Sequence, residues 1–304
     1  MRIYVHSGRL GAERGAREGL VTVVVDALRA SATIASFLEF GATEVIVVEH
    51  VEQALAEKRR RPEAILVGER ECLRVEGCDL GNAPLRCACP GLPGPVVFTS
   101  SNCSRCCVTA AGELHPLAPS LGVDALGRGG GAEVPPLPPR TGEAPVPPGE
   151  GAVRARALQR SAPHLFIGTT VNATAVARAA GEAARELGAD LLLVPAGSVE
   201  DETRFNMEDH LACGVLIREL EKQYPKARVA NDAARAAQAL FARVGQKHLP
   251  AAFLRTDHGR RLVEVGCEDD VRWAARVDVY QAVPALTDLR PLEDGGLGVV
   301  FTTD

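Results

Sequence analysis

Three short apolar runs in this chain each pass through a few small polar residues into a helix-like stretch. No other feature constrains the fold as tightly. Val23-Val24-Val25 leads into Asp26-Ala27-Leu28-Arg29-Ala30-Ser31-Ala32-Thr33. Val96-Val97-Phe98 leads into Thr99-Ser100-Ser101-Asn102-Cys103-Ser104-Arg105, and Leu165-Phe166-Ile167 into Gly168-Thr169-Thr170-Val171-Asn172-Ala173-Thr174. The uninterrupted β-branched run Val21–Val25 is the pattern of a strand buried on both faces. The first and third units also continue alike, through Gly41-Ala42-Thr43-Glu44 and Gly188-Ala189-Asp190 into the apolar runs Val45–Val48 and Leu191–Val194.

Further strands are expected at Ile65–Val67 and Pro95–Phe98. Helices are expected at Ala32–Phe40, Val51–Arg61, Ala173–Leu187, Asn206–Gln223 and Asn231–Val244, the last with Asn231 as N-cap and Gly245 as its stop. In the tail from Arg261 to Val283, Leu262–Val265 reads as a strand, followed by a short helix and another apolar strand. Strands alternating with helices predict an α/β protein: a mostly parallel sheet or sheets with flanking helices, in two related halves. Between the halves the chain carries Gly129-Gly130-Gly131, Pro135-Pro136-Leu137-Pro138-Pro139 and Pro145-Val146-Pro147-Pro148. Such composition cannot bury enough apolar area to offset its ordering entropy. The expected organisation is therefore 1–111 as a first half, 112–160 as a disordered Gly/Pro-rich insertion, and 161–304 as a second half packed with the first into one catalytic unit.

Composition excludes some functions. The net charge of −5, from 34 Lys and Arg against 39 Asp and Glu, argues against a nucleic-acid partner, which would need a basic face. No apolar run approaches the ~20 residues of a membrane helix, and the first residues lack a signal peptide's apolar core. A cytoplasmic protein with no membrane partner is expected. Seven of the nine cysteines fall between Cys72 and Cys107. In a reducing compartment they are expected as free thiols. No paired C-x-x-C knuckles occur at finger spacing, yet a cysteine-based metal or redox sensor stays open as an alternative.

A buried strand ending in hydroxyl and amide residues at a helix start is the geometry that binds anions, because free N–H groups and the positive helix end meet there. Ser, Thr and Asn at such places also serve as plain helix caps. Three such turns, two of them with an arginine fork (Arg29, Arg105), favour an oxyanion pocket. Carboxylates supply the other half: Asp26 at a strand end, Glu69 after another strand, and Glu208 and Asp209 in a helix first turn, with Asp209 on the inward stripe of Cys213. Hard oxygen ligands beside a phosphate pocket suit Mg²⁺. No P-loop, Cys-x5-Arg loop, G-x-S-x-G or H-E-x-x-H is present, and Asp26 lacks the second Asp of an aspartyl-phosphate enzyme. Metal-assisted attack by water remains.

Several ordered motifs resemble the 2-phosphosulfolactate phosphatase family. They are Val24–Ser31, Gly68-Glu69-Arg70, Gly77–Pro84, Thr99–Asn102, Met207–Gly214, His258–Leu262, Asp269-Asp270-Val271 and Val277-Asp278-Val279. The resemblance spans nearly the whole chain except about 112–160. It implies an α/β fold of the family's own type and Mg²⁺-dependent hydrolysis of a phosphomonoester to sulfolactate and phosphate. The substrate is then a small anion carrying phosphate, sulfonate and carboxylate. The residues expected to carry the chemistry are Asp26, Arg29, Asn102 and Arg105, with Ser31, Arg70, Asn82, Ser104, Asn172 and Thr174 holding substrate. Asp26, Glu69, Glu208 and Asp209 are the expected metal ligands. The chain departs from the family at Asn102-Cys103-Ser104-Arg105, where Asn-Gly-Thr-Arg is usual; a small-anion-binding relative impaired in catalysis is the alternative this raises. Compact α/β enzymes of this kind are often symmetric oligomers, so a homo-oligomer is expected.

Overall fold

The computed structural model describes residues 1–88, 94–112, 164–199, 201 and 204–303. Cys89 and almost all of the expected insertion at 112–160 lie outside the described residues. In chain order the elements are β1 (Arg2–Val5), α1 (Gly8–Glu18), β2 (Val21–Val25), α2 (Ala30–Glu39), β3 (Ala42–Val47), α3 (Val51–Arg60), β4 (Ile65–Arg70) and β5 (Leu73–Arg74). They continue with α4 (Pro84–Cys87), β6 (Gly94–Thr99), α5 (Cys103–Gly112), β7 (Leu165–Ile167), α6 (Ala173–Glu186), β8 (Leu191–Pro195), α7 (Met207–Gln223) and β9 (Arg228–Val229). The last elements are α8 (Asp232–Val244), α9 (Leu249–Phe253), α10 (Asp257–Glu264), α11 (Glu268–Ala274), β10 (Ala285–Pro291) and β11 (Leu297–Thr302).

All eleven strands join one sheet in the order β5-β4-β6-β3-β11-β10-β7-β2-β8-β1-β9. Two parallel blocks, β4-β6-β3 and β7-β2-β8-β1-β9, are bridged by the antiparallel hairpin β10–β11. The fold is thus α/β with a large, mostly parallel sheet and flanking helices, as the strand–helix alternation predicts.

The central strands are buried on both faces, and their side chains divide between two cores. Val21, Val23 and Val25 pack with α6, α7 and α8, while Val24 packs with α2 and α5 on the other side. Leu191 and Leu193 divide from Leu192 and Val194 in the same way. This period-two division is the reason an unbroken apolar run forms a central strand rather than an edge. The stripe Cys213, Leu216, Ile217 and Leu220 on α7 is wholly buried, as its spacing predicts. Asn231 caps α8, its side chain accepting the Ala234 N–H at 3.1 Å.

The tail differs from expectation. Leu262–Val265 is not a strand: Asp257–Glu264 is a helix, capped by Thr256, whose hydroxyl accepts the Gly259 N–H at 3.0 Å. Only Leu262 of that run faces the core, with Val263 and Val265 exposed, so the apparent apolar alternation was one buried position with exposed neighbours. The expected strand before Val283 is also absent. Asp278 there adopts a left-handed backbone (φ 55°), and the N–H groups of Asp278 and Tyr280 pair with Thr170 and Val171 rather than with a strand. The sheet-forming tail residues lie later, in β10 and β11.

Candidate active site

The β2–α2 turn is held by its own backbone. The Asp26 N–H donates to Ser31 Oγ at 2.9 Å, and the Ser31 N–H returns to the Asp26 carbonyl at 3.0 Å. Asp26 Oδ1 also accepts the Ala30 N–H at 3.3 Å. Ser31 therefore shapes the turn rather than facing solvent, and it is fully buried. Opposite, the first turn of α7 presents Glu208 and Asp209, and the Ala27 N–H donates to Asp209 Oδ1 at 2.8 Å. From β4, Glu69 reaches the same cavity, with Oε1 accepting the Cys72 N–H at 2.7 Å.

These four carboxylates are at most 9% exposed, and among the described residues none forms an ion pair. The electrostatic consequence is large. Burial, then the neighbouring charges of Glu69 and Glu208, push Asp26 up to about 7, against the pull of the Ala30 N–H and Arg29. Burial, then Asp26 and Glu208, hold Asp209 well above the usual carboxylate range. Burial raises Glu208 as well, opposed by hydrogen bonds at its helix start. Acids crowded without a compensating cation are a mark of functional sites.

The cavity above them holds about 540 Å³, within the range of small-molecule sites. Asn102 lines it, with Oδ1 accepting the Val199 N–H at 2.9 Å. Asn82 and Asn206 also line it, and the Oδ1 of each is buried with no hydrogen-bond partner. Arg70 reaches the wall, but its guanidinium donates to Glu69 O (2.7 Å), Glu49 O (3.0 Å) and Thr99 Oγ1 (3.0 Å).

The other expected residues are placed elsewhere. Arg29 is 4% exposed and donates to Asp270 Oδ2 at 3.1 Å and to Cys72 O at 3.0 Å. Ser104 is buried and exchanges hydrogen bonds with Ser100. Neither Arg29, Ser104 nor the half-buried Arg105 is among the residues lining the cavity. Asn172 uses its Oδ1 on the Thr169 N–H and its Nδ2 on Ala282 O, and Thr174 is tied to Asp278. The β2 and β6 turns thus meet at one cavity, whereas the turn after β7 braces the tail. Cys103, at the position where the family usually has glycine, is buried inside α5 against Cys107, with sulfurs 3.9 Å apart.

Sequence reasoning missed the opposite wall. His258 on α10 lines the cavity, as do Arg204, Arg255 and Arg261. Burial, then the positive charges of Arg29, Arg261 and Arg204, bring His258 down to about 4, so it is neutral near pH 7. Its signal is present in the family-like motif His258–Leu262, but a lone histidine outside the three turns carries no sequence pattern that assigns it to the site.

Comparison with known proteins decides the family. The family profile described as 2-phosphosulpholactate phosphatase matches residues 9–120 and 150–288. The chain belongs to that family. By class it is therefore a phosphoric monoester hydrolase. Similar proteins named probable 2-phosphosulfolactate phosphatase include one from Carboxydothermus hydrogenoformans, 28% identical over 88% of this chain and 86% of its own length. Another from Deinococcus radiodurans is 28% identical over 88% and 87%, and one from Gloeobacter violaceus is 28% identical over 90% and 91%. The internal stretch outside the profile is 121–149, the core of the Gly/Pro-rich segment. Among the described residues no helix is long and apolar enough to cross a membrane.

Proposed function

We propose that this family member is a Mg²⁺-dependent phosphatase that hydrolyses 2-phosphosulfolactate, or a similar small phosphorylated organic acid, to sulfolactate and phosphate. The observation that carries the reading is the buried group Asp26, Glu69, Glu208 and Asp209, without ion pairs among the described residues: the first three line the open cavity, and Asp209 lines a small recess that Asp26 and Glu208 share.

The donor set fits Mg²⁺ by its chemistry. It consists of carboxylate oxygens with the unpartnered amide oxygen of Asn206 beside them. Among the described residues no three His, Cys, Asp or Glu side chains already stand at metal-ligating spacing. Mg²⁺ usually takes only one or two carboxylates and fills its remaining positions with water and substrate oxygens. Asp26, Glu208 and Asp209 with Asn206 are the residues that would hold it, and Glu69 flanks them. When bound, the ion would neutralise charge on the phosphoryl oxygens.

In the reaction, a water oxygen bonds to phosphorus as the ester P–O bond breaks, and the departing alkoxide takes up a proton. Asp26, poised near neutrality, can hold or release a proton on its carboxyl at working pH. Asn102, its Oδ1 already committed to Val199, is left with its amide N–H groups for an oxyanion. The lining draws on both 1–111 and 161–304, which supports treating these ranges as one catalytic unit. The reading keeps the cytoplasmic location and the homo-oligomer as expectations, to be checked by fractionation and sedimentation.

A phosphate-release screen over small phosphorylated acids tests it. Release from 2-phosphosulfolactate that EDTA abolishes and Mg²⁺ restores is expected. Metal-independent release, or none from any such acid, overturns it.

A further inference from the structure

The cavity is charged oppositely at its two walls. Carboxylates form the floor, while the side built by the approach to α7 and by the α9–α10 region carries Arg204, Arg255 and Arg261. These three differ from the other arginines near the site in having donors to spare. Arg70 and Arg29 are locked by protein oxygens, as described above. Among the described residues the Arg204 guanidinium pairs only with Asp257, at 3.4 Å, and that of Arg261 only with Glu71, at 3.7 Å; both acids are exposed, at 65% and 77%. Such contacts are screened by water and easily exchanged for a ligand. The Arg255 guanidinium has no hydrogen bond or ion pair to any described residue. Burial lowers the His258 pKa, and the charges of Arg29, Arg261 and Arg204 lower it further.

A bare phosphate monoester engages the floor and has no use for the opposite wall. A sulfonate or carboxylate attached beside the ester carbon would extend toward it. Guanidinium forks match both groups in geometry and charge.

We propose that Arg204, Arg255 and Arg261 form an anion-reading rim that selects phosphate esters bearing a second anionic group. This rests on the phosphatase reading for its substrate but moves the anion grip away from Arg29 and Arg105, where the turn motifs had placed it. Arg255, without a competing partner among the described residues, carries the most discrimination.

The test compares the full-length protein with Arg255→Ala, Arg255→Lys and Arg261→Ala on two esters: 2-phosphosulfolactate and isopropyl phosphate, which lacks a second anion. Arg255→Ala should raise KM for phosphosulfolactate by at least about tenfold with kcat little changed. Its kcat/KM on isopropyl phosphate should stay within about twofold, Arg255→Lys should recover part of the loss, and Arg261→Ala should follow Arg255→Ala more weakly. Equal losses on both esters, or no loss, overturn the rim. Calorimetric titration with sulfolactate reads the same contacts without turnover. If the wild type releases no phosphate yet binds sulfolactate, and Arg255→Ala does not, the rim stands and the phosphatase reading falls. If the wild type neither turns over nor binds sulfolactate, both fall.

Discussion

The backbone N–H of Ala27 donates to Asp209 Oδ1 at 2.8 Å, although the two residues are 182 positions apart. This bond sets the first turn of α7 against the end of β2. It brings Asp209 to the side of Asp26, whose charge makes Asp209 harder to ionise. A site assembled this way holds its acids close at the expense of the unliganded fold, and several outcomes follow from that arrangement.

Asp209→Asn keeps an oxygen for the Ala27 N–H and removes one buried charge. Thermal melting at pH 8 should show a midpoint unchanged or raised by a few degrees, while phosphate release falls on the order of 10²-fold. A midpoint lowered by several degrees would mean that the charge itself is needed for folding.

The stability of the metal-free protein should depend on pH with a definite sign. Asp26, pushed up to about 7 from 3.8, binds protons in the folded state that the unfolded chain releases, so it makes stability fall as pH rises between those values. His258, brought down to about 4 from 6.5, acts oppositely and makes stability rise with pH across its own window. Below 6.5 the two oppose each other. His6, His164 and His210 are lowered too and add to the rise. Well above 6.5 the histidines are neutral in both states and the raised Asp26 and Asp209 set the sign, so the melting midpoint should fall by roughly 1–4 °C between pH 7.5 and 8.5. Mg²⁺ should flatten that slope, and a midpoint rising over this range would contradict the assignment.

Arg29 and Asp270 form a buried pair, 4% and 10% exposed at their side chains. Arg29→Ala leaves Asp270 uncompensated and Cys72 O without its donor. Denaturant unfolding should show a loss of about 3–5 kcal/mol. Arg29→Met with Asp270→Leu should lose less than either single variant, as expected for a structural pair. A single variant with unchanged stability and a raised KM would return Arg29 to the substrate.

Gly259 sits where α10 begins, and a Cβ there would fall onto the Phe253 carbonyl oxygen and close to Thr256 Oγ1. Gly259→Ala must displace the helix that carries His258 and Arg261. Stability should drop by about 2–4 kcal/mol. Sulfolactate affinity, read by calorimetry below the melting midpoint, should fall with it.

Much of this was legible in the chain. Unbroken β-branched runs such as Val21–Val25 carry their own instruction, because a strand with no polar face must be covered on both sides. The stripe on α7, the Asn231 cap and the carboxylates at Asp26, Glu69, Glu208 and Asp209 are likewise local patterns; Asp26, Glu69 and Glu208 reach the cavity from the strand or helix end where they were expected, and Asp209 the recess beside it. The tail failed where local pattern is weakest: Leu262–Val265 offers only four residues, too few to separate a period of two from one of 3.6.

What the sequence determined by itself was which segments are strands and helices, and which short turns end in groups fit for anions or metals. Tertiary structure alone decided which of those turns meet. β7 runs parallel beside β2, so their turns leave the same sheet edge, yet the turn after β7 is claimed by the tail, while the turn after β6, from the block beyond β10 and β11, reaches the cavity. It also decided which arginines face the substrate. Direction and burial of a long side chain depend on what packs around it, so Arg29, beside Asp26 in sequence, turns into the core toward Asp270. Arg255, more than two hundred residues away, is left facing the cavity because no described residue claims its charge.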